Sequence, residues 1–312
     1  MTHPTPTTAA LLGAGTIGLS WAALFAAHGL QVRLQDPRDD VQETLTVALR
    51  QIAPVLPGAP DAEQLLARVR VVDTLEKAVR GADVVQENGP ERIDLKRELF
   101  ARVEAAAPAT ALLLSSSSGL VASDMSADMT DPGRLLVGHP FNPPHVVPLV
   151  EVVPGAQTPA ETVEAAVAFY RGLGKVPVVL HREVGGFVAN RLQSAVFRES
   201  VHLVLSGVVS MEELDEVMRQ SIGPRWATAG PFESMHLGGG PGGLRHLLEH
   251  LGPGMVRRWA DLGRPELSAD VVERLSAASE QRFADEPYDE HTARRDRLQL
   301  AVLAARAQAE QG

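Results

Sequence analysis

At 312 residues the chain carries about two domains' worth of sequence at roughly 150 residues per domain, and 45% hydrophobic with 22% charged residues exclude a disordered, collagen-like or coiled-coil protein. Lys+Arg 29 against Asp+Glu 39 leaves a formal charge of -10, so phosphate repulsion argues against broad binding to nucleic acid or an anionic membrane. With no Cys there is no disulfide, cysteine nucleophile or thiolate metal site, and no metal is expected.

In chain order, the opening MTHPTPTTAALLGAG lacks a basic leader region, and no apolar run approaches the ~18 residues of a membrane span. A cytoplasmic protein is the expectation. Short β-prone runs at 9–12, 31–35, 69–72, 83–86, 111–114, 135–138, 148–153 and 177–180 read as strands. Between them, 17–29, 38–53, 92–106 and 158–173 carry apolar residues at three-and-four spacing and read as helices. A Pro/Gly break at 54–60 predicts a two-helix excursion after the second strand. Beyond Gly185 and Gly186 the pattern becomes helical: 187–205 is one long period, Gly207 stops it, and Ser210 with Glu213 forms a capping box. Segments 244–251, 268–283 and 292–308 also read as helices. The expected fold is α/β, a Rossmann-type mostly parallel sheet in residues 1–183 followed by an all-helical C-terminal domain in 184–312, with a ligand site between them.

The run LLGAGTIG places G-x-G-x-x-G between a predicted strand and a predicted helix. Gly13 permits a tight turn, Gly15 a close backbone approach to a pyrophosphate, and Gly18 close packing. Thr16 and Ile17 open a helix whose free N–H groups face the anion. Asp36 ends the second strand 18 residues past Gly18, where a carboxylate accepts from both ribose hydroxyls and repels a 2′-phosphate. NAD is therefore expected rather than NADP, although Arg38 offers a partial counter-charge. Glu87 ends the fourth strand and is a candidate cofactor contact, or an ordinary solvated loop acid.

The serines of SSSSGL (115–118) and the segment GHPFNP (138–143) each follow an apolar strand and reach the carboxyl edge of the sheet. Glu151 is the single acid of an apolar strand, and a buried carboxylate needs a partner; His139 is the candidate. A histidine held by a carboxylate makes a general base of fixed tautomer, able to take a hydroxyl proton while hydride leaves for nicotinamide. Taken singly, His139 also reads as a turn or core histidine, and Glu151 as a strand-edge acid facing water.

The strings GAGTIG, QENGPERIDLKRELF, SSSSGL, GHPFNPPHVVPLVEVVPG and GGFVANRLQSAVFRES resemble the 3-hydroxyacyl-CoA dehydrogenase superfamily over nearly the whole chain. HPFNPPHVVPLVEVVPG and GPRWATAGPFESMHL are most similar to the branch holding L-gulonate 3-dehydrogenase (lambda-crystallin) and L-carnitine dehydrogenase. The resemblance implies His139 as catalytic base and Glu151 as the acid that orients it. It implies Ser118 and Asn190 as contacts of the reacting oxygen, Glu87 as an acid near the nicotinamide ribose, and homodimerisation through the helical domain. Gly119 departs from the acyl-CoA members, which commonly have a second Ser there.

The resemblance also sets Arg225 where carnitine- and gulonate-type enzymes carry Arg before an aromatic residue, in a loop of the helical domain. A guanidinium forks onto a carboxylate, so Arg225 suits a small free 3-hydroxy acid. Trp226 stacks on Arg225, faces a trimethylammonium group, or is a core aromatic. The crossover 37–60 offers only Arg38 and Arg50 beside Asp39, Asp40 and Glu43, thin support for the phosphates of coenzyme A. The expected activity is NAD-dependent oxidation at C3 of an L-gulonate-like acid. The alternatives are a 3-hydroxybutyryl-CoA dehydrogenase, an L-carnitine dehydrogenase and a non-enzymatic NAD-binding protein.

Overall fold

The computed structural model describes residues 6–311, and the chain divides into two compact units after Asn190. The first unit runs β1 (Thr8–Leu12), α1 (Thr16–Ala27), β2 (Gln31–Gln35), α2 (Val41–Ile52), a 3-10 turn, α3 (Ala62–Leu66), β3 (Val69–Val71), α4 (Leu75–Val79) and β4 (Val84–Glu87). It continues through α5 (Ile93–Ala106), β5 (Leu112–Ser115), α6 (Ala122–Met125), β6 (Leu135–Pro140), β7 (Leu149–Pro154), α7 (Ala160–Gly172) and β8 (Val176–Val179). The eight strands form one sheet in the order β3-β2-β1-β4-β5-β6-β7-β8. All neighbours pair in parallel except β6 and β7, which are antiparallel. The chain leaves β1 toward β2 and returns on its other side at β4, so the carboxyl ends of β1 and β4 flank the point where open α/β sheets bind ligands.

Burial explains the local choices. The central strands β1, β4, β5 and β6 are buried on both faces, between two core clusters built around Leu11, Leu34 and Leu114 and around Leu12, Val85 and Leu113. Helix α1 is buried continuously from Gly18 to Ala26, which makes it a central helix. Helix α2 buries only Val41, Leu45 and Leu49, one stripe at i, i+4, i+8. The predicted excursion after β2 is present as α2, the turn Ala53–Val55 and α3. Helices α4 and α6, of five and four residues, were not predicted, being too short to show a period.

The sequence break at 183/184 precedes the structural one. Residues 184–190 remain with the sheet because Phe187 is fully buried in the second core cluster and the amides of Val188 and Ala189 bond to Glu151 on β7.

Helix α8 (Ala189–Leu205) leads into the second unit, which adds α9 (Met211–Val217), a π-helical turn, α10 (Gly223–Thr228), α11 (Pro231–Gly238), α12 (Gly243–Asp261), α13 (Ala269–Phe283) and α14 (Tyr288–Gln311). The capping box at Ser210 and Glu213 forms as expected. Arg225 and Trp226 lie on a helix rather than the expected loop, since Pro224 suits a first helical turn. Helix α12 runs past its predicted end at Leu251, with Pro253 inside it. Among the described residues, no helix is long and apolar enough to cross a membrane.

Candidate active site

The glycine-rich turn between β1 and α1 shows three separate steric demands. Gly13 has φ +98, and a Cβ there would lie 2.8 Å from the Asn88 carbonyl oxygen. At Gly18 it would lie 2.0 Å from the Gly13 oxygen, whereas at Gly15 it would meet nothing within 4 Å. The first and third glycines thus hold the turn against β4 and α1, while the second faces open space where a pyrophosphate can approach. No side chain caps the N-terminus of α1, where Gly15 and Thr16 are exposed and Ile17 half-buried, so its amides are free for an anion.

Asp36 follows β2 beside this turn. Its Oδ2 accepts from the Ala14 amide at 2.6 Å, and its Oδ1 accepts from the Arg38 amide at 3.1 Å and Nε at 3.0 Å. Burial pushes the carboxyl up, but these bonds from Ala14 and Arg38 and the guanidinium charge hold it below the usual range. Arg38 also donates from Nη2 to the Ala14 oxygen at 2.8 Å. Asp36 is thereby ionised and fixed against the dinucleotide turn, with an arginine clamped across it. The glycines, free helix amides and acid fit a dinucleotide.

Glu87 does not sit as the expected cofactor contact. Its side chain is fully buried, both oxygens are bound by Lys96 Nζ at 2.6 and 2.7 Å, and Ser115 Oγ and the Gly89 amide each donate at 2.6 Å. It is an internal anchor of the β4 and β5 ends, with no face left for a ribose.

The acid that the sequence reading missed is Glu91, at the start of the α5 region. Its Oε1 accepts from the Ser118, Gly119 and Leu120 amides at 3.1, 2.8 and 3.2 Å and from Ser117 Oγ at 2.6 Å. Burial raises its pKa, yet the Ser117 hydroxyl, these amides and Lys96 outweigh it and hold it low. Three successive amides cradling one carboxylate fix the loop that carries Ser118. The pairing spans 26 residues or more in sequence, so spacing gave no signal for it.

Beneath these loops a buried polar chain joins the elements. Tyr170 Oη donates to Gln86 Oε1 at 2.8 Å, Gln86 Nε2 and Trp21 Nε1 donate to Ser116 Oγ, and Ser116 Oγ donates to Asn88 Oδ1 at 2.8 Å. Every member is satisfied, which makes such a chain a rigid support rather than a cost.

His139 and Glu151 occupy facing positions on β6 and β7. Their side chains are 5% and 2% exposed, with His139 Nδ1 2.8 Å from Glu151 Oε2. The other oxygen of Glu151 accepts from the Val188 and Ala189 amides at 2.9 and 3.0 Å. Burial pushes this carboxyl up, but the bonds from His139, Ala189 and Val188 bring it below its ordinary value. An ionised carboxylate can only accept, so Nδ1 carries a proton, and in the neutral imidazole Nε2 is the nitrogen with the lone pair. The imidazole packs against Phe141 and Phe187, at centroid distances of 5.0 and 5.3 Å.

Asn190 Nδ2 lies 3.4 Å from the Ser118 carbonyl oxygen, so the structure brings these two predicted residues together on an exposed rim. In the second unit Arg225 and Trp226 are exposed, and Arg225 has no ion-pair partner among the described residues.

Comparison with known proteins agrees with this construction. Residues 8–184 match 3-hydroxyacyl-CoA dehydrogenase, NAD binding domain, and residues 186–274 match 3-hydroxyacyl-CoA dehydrogenase, C-terminal domain. The chain is 43% identical over 299 residues to the L-carnitine dehydrogenase of Nocardiopsis dassonvillei, covering 96% of this chain and 91% of that protein. It is 39% identical to a 3-hydroxyacyl-CoA dehydrogenase of Gibberella moniliformis, covering 96% and 94%. Among solved structures, 5-formyl-3-hydroxy-2-methylpyridine 4-carboxylic acid 5-dehydrogenase, an NAD+ dependent dismutase, superposes with a TM-score of 0.78 at 29% identity, covering 97% and 99%. The glycine turn, the acid at the end of β2 and both matched domains place this chain in the NAD-dependent 3-hydroxyacyl-CoA dehydrogenase family.

Proposed function

We propose that the protein oxidises the C3 hydroxyl of a small free 3-hydroxy acid with NAD, and that L-carnitine precedes L-gulonate as the substrate to test. The observation that carries the reaction is the buried His139–Glu151 pair, with Nδ1 bound and Nε2 free. NAD supplies the hydride acceptor. His139 Nε2 takes the hydroxyl proton as the C3–H bond breaks, and Glu151 stabilises the resulting imidazolium without itself being protonated. Ser118 and Asn190 orient the substrate oxygen, and the loop that carries Ser118 is held by Glu91. In the reverse direction the imidazolium returns its proton to the forming alkoxide.

Of the two arginines in residues 37–60, Arg38 is bonded to Asp36 and Arg50 to Glu63 at 2.8 Å, so a coenzyme A phosphate would have to displace a carboxylate from either. The unpaired guanidinium of Arg225 is the proposed carboxylate anchor, and Trp226 beside it suits a trimethylammonium group. The names of the L-carnitine dehydrogenase relatives put carnitine ahead of gulonate.

Homodimerisation through the second unit belongs to the same proposal: Phe197 and Phe232 are 62% and 80% exposed, and an apolar groove lies between Leu192, Val196, Met218 and Phe283. Cytoplasmic placement rests on the sequence reading.

The test is NAD reduction with L-carnitine, L-gulonate, 3-hydroxybutyrate and 3-hydroxybutyryl-CoA, in the wild type and Arg225→Ala. Turnover of a free acid that collapses in Arg225→Ala supports the reading. Turnover of the CoA thioester that survives Arg225→Ala assigns the acyl-CoA alternative. NAD binding without turnover of any of the four assigns a non-catalytic role.

A further inference from the structure

Phe187 combines two features that rarely coincide: a fully buried aromatic ring and a backbone at φ +50, directly after Gly186 at φ +74. A non-glycine residue in the left-handed region is uncommon and persists only where its surroundings compensate. Here the compensation is the ring, which packs in the second core cluster with Val137, Val153 and Leu180 and lies 5.3 Å from the His139 imidazole. The turn is closed behind it by the Phe187 amide, which donates to the Val184 oxygen at 3.0 Å. Immediately ahead of it, the amides of Val188 and Ala189 both donate to Glu151 Oε1.

We propose that Phe187 is a positioning residue for the His139–Glu151 pair: its buried apolar side chain holds a left-handed turn that aims two consecutive amides at one oxygen of Glu151 and leaves the other to fix the imidazole. This rests on the catalytic reading of the pair. Two amides on Oε1 set the rotation of the carboxylate, and that rotation decides where Oε2 meets Nδ1. A relaxed turn would release Oε1, let the carboxylate swing, and free the imidazole to change tautomer.

The experiment compares Phe187→Leu and Phe187→Val. Both keep an apolar side chain in the core, but a β-branched residue tolerates a left-handed backbone poorly. The direct readout is the low-field proton resonance of an imidazole Nδ1–H bound to a carboxylate, assigned by its loss in His139→Gln and in Glu151→Gln. We expect the resonance and most of the turnover to survive in Phe187→Leu. In Phe187→Val the resonance shifts or broadens away and kcat falls about 10- to 100-fold, with NAD affinity unchanged. Phe187→Ala, which removes the ring and keeps an L-residue at the same φ, is read in the same way if the valine variant does not fold. An unchanged resonance in Phe187→Val or Phe187→Ala overturns the proposal whatever the activity. If the resonance responds as described while His139→Gln keeps its turnover, the positioning stands and the catalytic reading falls.

Discussion

His139 and Glu151, twelve residues apart in sequence, are direct cross-strand partners on β6 and β7, the one antiparallel pairing in the described sheet. Facing residues of an antiparallel pair send their side chains to the same face, so the sheet register itself delivers imidazole to carboxylate. Glu151 then uses its second oxygen on the Val188 and Ala189 amides, which ties the pair to the chain segment carrying Asn190.

Removing either partner has unequal consequences. His139→Gln eliminates the proposed proton acceptor and is expected to lower kcat/KM for oxidation about 10²- to 10⁴-fold. Glu151→Gln keeps the shape but accepts from Nδ1 with a neutral oxygen, so it lowers kcat less than His139→Gln does and leaves NAD affinity in place. Steady-state kinetics with the substrate identified by the screen, alongside calorimetric NAD titrations, checks both. Near-wild-type turnover in His139→Gln removes the base from the mechanism.

The glycines of the turn separate folding from binding. Gly18→Ala forces a Cβ to within 2.0 Å of a backbone oxygen and is expected to cost about 3 kcal/mol of stability or more. Gly15→Ala meets no protein atom, so its melting temperature stays near wild type while the Kd for NAD rises at least tenfold, by about 1.4 kcal/mol or more. Thermal melts and NAD titrations of the two variants give the comparison. Equal NAD affinity in Gly15→Ala and wild type contradicts the crevice assignment.

Lys96 and Glu87 are both buried and paired at 2.6 Å. Lys96→Met leaves the Glu87 carboxylate with hydrogen bonds but no counter-charge, and a loss of about 3–5 kcal/mol is expected. The double variant Lys96→Met with Glu87→Gln recovers part of this because no charge is then stranded. Urea denaturation of the four members of the cycle measures it, and additive losses would show that the two residues are not coupled.

The pH dependence of stability has two parts of the same sign in separate windows. Glu151, Asp36 and Glu91 have folded-state pKa values below their ordinary ones, so their contribution is complete above the unfolded value and drains away as pH falls through the folded one. Lys175 acts in the same direction at high pH. Burial lowers its pKa from 10.5 to about 8, so the unfolded chain binds the proton more tightly and stability rises between those values. Its Nζ donates to the Pro144 and Val147 oxygens, which secures the loop following β6. Relative to Lys175→Met, the wild type is expected to gain up to about 3 kcal/mol between pH 8 and pH 10.5. Chemical denaturation at pH 7.5 and pH 10 reads the difference, and a flat difference between the two proteins would refute it.

The sequence by itself determined the elements and the cofactor turn. Eight apolar runs bounded by turn residues became eight strands, and G-x-G-x-x-G followed by Asp36 marked the dinucleotide crevice, because these signals arise within a few residues of chain. Helix α12 crossing Pro253 and the short helix carrying Arg225 escaped, since packing there overrides local propensity. Only the tertiary structure decided what the acids do. Glu87 and Glu91 lie four residues apart, yet one is sealed against Lys96 and the other cradled by amides of the Ser118 loop. Burial and long-range partners set a carboxylate's role, and neither is encoded in its immediate neighbours. The left-handed turn at Phe187 belongs with them: its strain is tolerated only because a ring finds a core that strands β6 and β7 assemble.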